Sequence, residues 1–190
     1  MAARKDLPRY TVPTLSAKDG ARVAAILQER LNSLTDLHLT LKHVHWNVVG
    51  PHFIGVHEML DPQVAAVRAM TDAIAERIAT LGSAPVGTPG ALVKARTWED
   101  YHLGRATAIE HLGALDEVYQ GIIAAHRKAA KDTEALDLVT NDLLISHLHQ
   151  LEIFHWFVRA HLESAGGVLS TEGETTELGA ARKAREARAG

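Results

Sequence analysis

The chain has 190 residues, 46% of them hydrophobic, with 23 Asp and Glu against 20 Lys and Arg, twelve His and no Cys. That is the length of one domain with enough apolar material for a real core, and the lack of Cys excludes disulfides, thiolate zinc, iron-sulfur ligation and cysteine nucleophiles. No apolar run approaches the ~18 residues that cross a bilayer, and Met1 to Thr11 lacks the apolar segment of a signal peptide, so the expectation is a soluble, cytoplasmic protein with no membrane partner.

The net charge of -3 is unevenly spread. Residues 1–15 carry Arg4, Lys5 and Arg9 against Asp6, and residues 176–190 carry Arg182, Lys183, Arg185 and Arg188 against Glu177 and Glu186; each end is net +2, which leaves -7 for the stretch between. Two basic ends on an acidic body suit contact with a polyanion, or simply solubilise the chain. The expected organisation is a basic tail over 1–15, a helical body over 16–167 and a basic, flexible tail over 168–190.

Ser16 followed by Asp19 reads as a helix N-cap, and Val23, Leu27, Leu31, Leu34, Leu37, Leu41, Val44 and Val48 continue as one amphipathic helix up to the Gly50-Pro51 break. A second helix follows from Val56 to Gly82. Pro62 lies within it, and its clash with the Glu58 carbonyl predicts a kink near Asp61 or a fresh start. Residues 82–97 hold three Gly and two Pro and form a long connection with one helical turn at Ala91 to Ala95. Thr97 and Asp100 then resemble a second capping box that opens a helix through Leu103, Leu112, Tyr119 and Ile123 to about Lys131. The fourth helix spans Glu134 to Ala165 and stops at Gly166-Gly167. No strand is expected. Four long helices with one long link suit an all-α four-helix bundle with a single crossover, although an up-down bundle with a disordered middle loop has the same lengths.

Nucleotide-binding and serine-hydrolase motifs are absent, which leaves His and carboxylate chemistry. His57 and Asp61 are i,i+4 neighbours, as are Asp72 and Glu76, so each pair can aim two ligand atoms at one point. Asp61 and Asp72 share a stripe but stand ~16 Å apart at ~1.5 Å per residue, too far for one ion. A second copy of the helix laid antiparallel across a two-fold axis would bring the pairs together, with His45 folding back beside His57 to complete a nitrogen and oxygen set suited to Fe(II).

The run L-K-H-V-H-W-N-V-V-G-P-H-F-I-G-V-H-E-M-L-D, residues 41–61, followed by D-A-I-A-E-R, residues 72–77, resembles the Dps miniferritins, the DNA-binding proteins from starved cells. His45, His57, Asp61, Asp72 and Glu76 match that family's ferroxidase pattern at each step, over a resemblance covering about residues 14–165. It implies a ferritin-like four-helix subunit with a short helix in the crossover, a homo-dodecameric shell, and di-iron sites shared across two-fold interfaces. It also implies that Trp46 stands beside the centre to absorb stray oxidising equivalents, and that Asp142 lines an acidic pore, with Asp137 assisting. Trp156 and Phe157 are assigned to packing.

Rival readings are weaker. H-E-M-L-D at 57–61 departs from the zinc-protease H-E-x-x-H by its last residue. Glu99 to His102 and Glu152 to His155 are Glu-x-x-His pairs, but an intra-bundle iron site needs two further Glu, so His155 is expected to pack or cap. The reading is therefore a ferroxidase, an oxidoreductase acting on metal ions, that oxidises iron with hydrogen peroxide and stores the ferric product in a shell. The DNA partner, engaged without sequence preference in the nucleoid, falls to Arg182, Lys183, Arg185 and Arg188, helped by Arg4, Lys5 and Arg9, since many modest tails on one shell add up.

Overall fold

The computed structural model describes residues 8–189; Arg4 and Lys5 lie outside them. Helix α1 (Ala17–Asn47) starts as its sequence dictates, with the Ser16 hydroxyl accepting the Asp19 N–H at 3.0 Å. Its apolar stripe, Val23, Leu27, Leu34, Leu37, Leu41 and Val44, is fully buried. Val48–Val49 is a two-residue strand, β1, and Gly50 then takes φ +96°, the left-handed turn that sends α2 (Phe53–Thr80) back along α1.

Pro62 does not divide α2, which is one uninterrupted helix. Pro62 and Glu58 both lie on the exposed face, where water can satisfy the carbonyl that loses its partner. The next residue, Gln63, is buried and accepts the Tyr119 hydroxyl at 2.7 Å, which pins the helix to the core just past the proline.

The crossover contains α3 (Pro89–Ala95), anchored by Leu92, where the sequence places a helical turn. The expected helix start at Thr97 and Asp100 is not found. Arg96 takes the Asp100 carboxylate at 2.5 Å, and Trp98 Nε1 donates to Asp36 of α1 at 2.8 Å, so the segment is strapped extended across α1. Helix α4 (Ala108–Thr133) begins ten residues later at a different capping box, Thr107 and Glu110. Ala106–Thr107 forms β2, parallel to β1 with Val48 opposite Ala106; this two-residue pair is the only sheet among the described residues.

The last bundle helix, α5 (Leu138–Leu162), is shorter than expected at both ends. Asp137 stands at its N-cap, held by Arg77 of α2 at 2.6 Å and by the Thr140 hydroxyl at 2.5 Å. Trp156, assigned to packing from the sequence, is instead 62% exposed against Phe157.

The C-terminal segment differs most from its expectation as a flexible tail. After α5 the chain turns back through an isolated bridge between Glu163 and Leu169, and Thr171 is buried with its hydroxyl on Asp116 at 2.7 Å. Helix α6 (Glu177–Ala189) then packs on α4 through Ala180, Ala181 and Ala184. Small residues make that fit: a Cβ on Gly113 of α4 would stand 2.6 Å from the Ala180 carbonyl oxygen. The charge run R-K-A-R-E-A-R hides alanines at helical spacing, and their burial wins over the basic composition. No helix among the described residues is long and apolar enough to cross a membrane.

Candidate metal centre

The β1 turn brings the last turn of α1 against the first turn of α2. His45 and His57 stack there, with ring centroids 3.6 Å apart and planes 23° from parallel. His45 Nδ1 lies 3.0 Å from the His57 carbonyl oxygen, and His57 Nδ1 lies 2.8 Å from that of His45. A carbonyl only accepts, so both protons must sit on Nδ1, and each Nε2 is left with a free lone pair. This reciprocal clasp fixes tautomer and ring direction together, as second-sphere partners of metal-binding histidines do.

Asp61, one turn beyond His57, places Oδ1 3.3 Å from His45 Nδ1 and 3.3 Å from Lys42 Nζ. Lys42 lies one turn before His45 on α1, and the sequence pattern does not single it out although its i,i+3 spacing puts it on the same face. Its ammonium also stands 5.8 Å from the Trp46 ring, which is 71% exposed. Phe53 closes the outer side of His57, with centroids 4.9 Å apart.

Asp72 and Glu76 are not brought to this cluster. Both are exposed on α2, on the same outer face as Asp61 and displaced along the helix. Asp72 lines a groove of 700 Å³ between α1 and α2, whose α2 wall carries Ala65, Ala69 and Ala75 together with Arg68 and Thr71. Among the described residues of one chain, no three metal-binding side chains converge. The five candidate ligands therefore fall into two separate groups on one chain, His45-His57-Asp61 and Asp72-Glu76.

The remaining candidates separate clearly. His155 Nε2 bonds to buried Asp116 at 2.6 Å, and Glu152 is paired with Arg127. Burial alone would push the Asp116 carboxyl up, but hydrogen bonds from His155, Thr171 and Arg159 outweigh it and hold the group below its ordinary value. Those partners tie α4, α5 and the C-terminal segment together, and no Glu-x-x-His pair faces a second one. Asp142 is exposed in the second turn of α5. Asp137 has its carboxylate taken by Arg77 and Thr140, so it is a helix clamp whose charge is already compensated.

Of the basic residues assigned to DNA, Arg185 pairs with Glu110 at 3.1 Å, Arg188 donates to the His161 carbonyl at 3.0 Å, and Lys183 bonds the Glu172 carbonyl. Arg182 and Arg9 are exposed.

The chain is similar to known proteins over most of its length. The family model described as Ferritin-like domain matches residues 24–166. A DNA protection during starvation protein from Mycolicibacterium smegmatis is 62% identical over 176 residues, 93% of this chain and 96% of that protein. One from Agrobacterium fabrum is 37% identical over 142 residues, 74% of this chain and 88% of its own. Among solved structures, Mycobacterium smegmatis Dps superposes with a TM-score of 0.87 at 61% identity, covering 88% of this chain and 95% of that one. DpsA14 from Streptomyces coelicolor gives 0.86 at 60% identity, with 87% and 98% covered. With the fold, the clasped histidines and these likenesses in agreement, the chain belongs to the Dps family of ferritin-like proteins.

Proposed function

We propose that the protein is a ferroxidase that takes Fe(II) as substrate at sites shared between two subunits, oxidises it with hydrogen peroxide and retains the Fe(III) product as mineral inside a dodecameric shell. The observation that carries this reading is the His45-His57 clasp with Asp61 beside it, two imidazole lone pairs and a carboxylate at the edge of an incomplete site. The missing ligands exist on the same chain as Asp72 and Glu76. The open groove beside Asp72, where three of the lining residues are alanines, is where a second copy would approach to complete the site.

Two Fe(II) ions deliver two electrons to one hydrogen peroxide; with two protons taken up, its O–O bond breaks and two waters leave, so no hydroxyl radical is released. His45, His57 and Asp61 would hold one part of the iron and the partner copy's Asp72 and Glu76 the other. The carboxylates compensate the charge that grows on oxidation. Trp46, a large exposed ring next to His45, is placed in sequence to absorb oxidising equivalents that stray, and Asp142 is assigned to an acidic entry route that attracts Fe(II).

Anaerobic loading with Fe(II) followed by hydrogen peroxide, read by Fe(III) absorbance, tests this. Wild type should oxidise iron far faster than buffer and Asp72→Ala should fall to the buffer rate; equal rates for the two proteins would refute the shared site.

The DNA part of the reading keeps its residues and changes its form. The relatives' name, DNA protection during starvation protein, supports a DNA partner. On this chain the basic residues of α6 sit on a docked helix, so contact with phosphates would come from a fixed row led by Arg182, with Lys183, Arg185 and Arg188 exchanging their internal partners. Arg9, with Arg4 and Lys5, would contribute from the other end. Changing Arg182, Arg185 and Arg188 together to Gln should abolish a gel shift at low salt without changing iron oxidation. Unaltered binding with an unaltered salt slope would remove α6 from the DNA contact.

A further inference from the structure

A cleft of 520 Å³ opens between α1, the strapped segment around Trp98, and α4, away from the metal centre. Two oppositely charged groups line it without reaching each other. Arg30 of α1 has a side chain only 9% exposed, its one ionic approach is 3.9 Å to Glu29, itself 78% exposed, and its Nη1 is buried with no hydrogen-bond partner among the described residues. A guanidinium stays charged, so burial without an acceptor is costly. Glu117 of α4 is half-buried and makes no ion pair among the described residues, receiving only a long bond from Gln120 at 3.4 Å. Burial, then the neighbouring carboxylates of Asp116 and Glu174, push the Glu117 carboxyl up, and the charges of Arg159 and His155, neither of them paired with it, offset this only in part.

The other charges in the cleft are engaged: Asp36 by Arg96 and Trp98, Glu177 by His102, and Glu99 near His102. Between the two unsatisfied groups runs an apolar floor of Val118, Ile122 and Ala125, one stripe of α4 at i, i+4 and i+7. The charge of Arg30 acts on His126, just past the Ala125 end of that stripe, whereas Glu117 lies just before its other end, nine residues or ~13 Å along α4 from His126 at ~1.5 Å per residue.

We propose that this cleft binds a small aliphatic zwitterion, with its carboxylate on Arg30, its terminal ammonium on Glu117 and its methylenes along Val118 and Ile122. A simple anion would have to pass the carboxylates of Asp36, Glu99, Glu117 and Glu177 and would leave Glu117 unmatched. A simple cation would leave Arg30 unmatched. Only a molecule with both ends satisfies both residues.

Isothermal titration of the full-length protein at low salt and pH 7 tests this with three probes: 6-aminohexanoate, hexanoate, which lacks the ammonium, and pentane-1,5-diamine, which lacks the carboxylate. Saturable binding is expected for 6-aminohexanoate, weaker by about tenfold or more for each single-ended probe, about 1.4 kcal/mol. Glu117→Gln should weaken 6-aminohexanoate by a similar factor and leave hexanoate unchanged. Arg30 is deep enough that its replacement can unfold the chain, so the half-buried Glu117 carries the decision. No saturable heat with any probe, which would mean that water satisfies Arg30, overturns the proposal. So does equal binding of hexanoate and 6-aminohexanoate, or unchanged binding in Glu117→Gln.

Discussion

At the scale of single residues, the twelve histidines fall into different physical classes, and the class decides what each does. His45 and His57 have each Nδ1 directed at a carbonyl, which leaves Nε2 of the neutral ring as the atom free to bind a metal. His111, His126 and His147 are buried and have at least one ring nitrogen without a partner. Burial holds all three neutral: His126 is pulled from 6.5 down to about 3, with the Arg30 charge adding to the effect, and His111 and His147 to about 4. The sign of the consequence follows. At pH 7 these rings are mostly neutral in both the folded and the unfolded chain, whereas from 6.5 down to the folded values the unfolded chain takes up protons that the folded chain refuses, so stability falls as pH falls. Each ring should cost about 2 kcal/mol between pH 7 and pH 5, and the effect is complete only below the folded values. Urea unfolding of wild type at the two pH values should show the loss, and His126→Leu should remove about one ring's share of it. Identical midpoints at pH 7 and pH 5 would mean that these rings are already paired or protonated in the folded protein. Sequence could not sort the histidines this way, because whether a ring nitrogen meets a carbonyl or an apolar wall depends on the neighbouring helix. The meeting of His45, His57 and Asp61 was legible, since the i,i+4 pair and the return across Gly50 are local geometry.

At the scale of elements, the bundle helices were legible from apolar periodicity, and the errors sit where two local signals competed. Thr97-Asp100 and Thr107-Glu110 are both plausible helix starts; the second wins because Asp100 is taken by Arg96 and the chain between them is strapped to Asp36. Helix α6 was hidden because its composition is that of a basic tail while its alanines are that of a docking face. Its attachment rests on close approach rather than on large apolar area: Ala180 and Ala184 pack where Gly113 leaves room. Gly113→Ala should therefore act on α6 first. A Cβ 2.6 Å from the Ala180 oxygen cannot be accommodated without movement, and overpacking of this kind costs about 1–3 kcal/mol. Amide exchange over 177–189 should speed up about tenfold or more, with α1 and α2 unchanged, because local openings draw on local contacts. If exchange accelerates equally throughout, α6 belongs to the bundle's single cooperative unit. If it does not change, the helix has shifted without loss of contact.

At the scale of the whole molecule, the decisive question is whether the ligands on α2 meet across a two-fold axis, because a single chain leaves ~16 Å between Asp61 and Asp72 at ~1.5 Å per residue. Complementation answers it without a metal-bound structure. Suppose a site takes His57 from one subunit and Asp72 from its partner. His57→Ala alone kills every site, and so does Asp72→Ala alone. In a mixed pair the two lesions fall on the same site, and the second site keeps His57 from the Asp72 variant and Asp72 from the His57 variant. Random mixing at equal amounts makes half of the interfaces mixed, and each of these has one intact site of two, so co-expressed or co-refolded variants should recover about a quarter of wild-type oxidation from two inactive parents. If all ligands came from one chain, each subunit would remain dead in the mixture and recovery would be zero. The same experiment separates the shared site from an intra-bundle one, which the pairing of His155 with Asp116 and Glu152 with Arg127 already disfavours. A shared site would also account for a chain that displays this His and carboxylate pattern while no three of those side chains converge among its described residues.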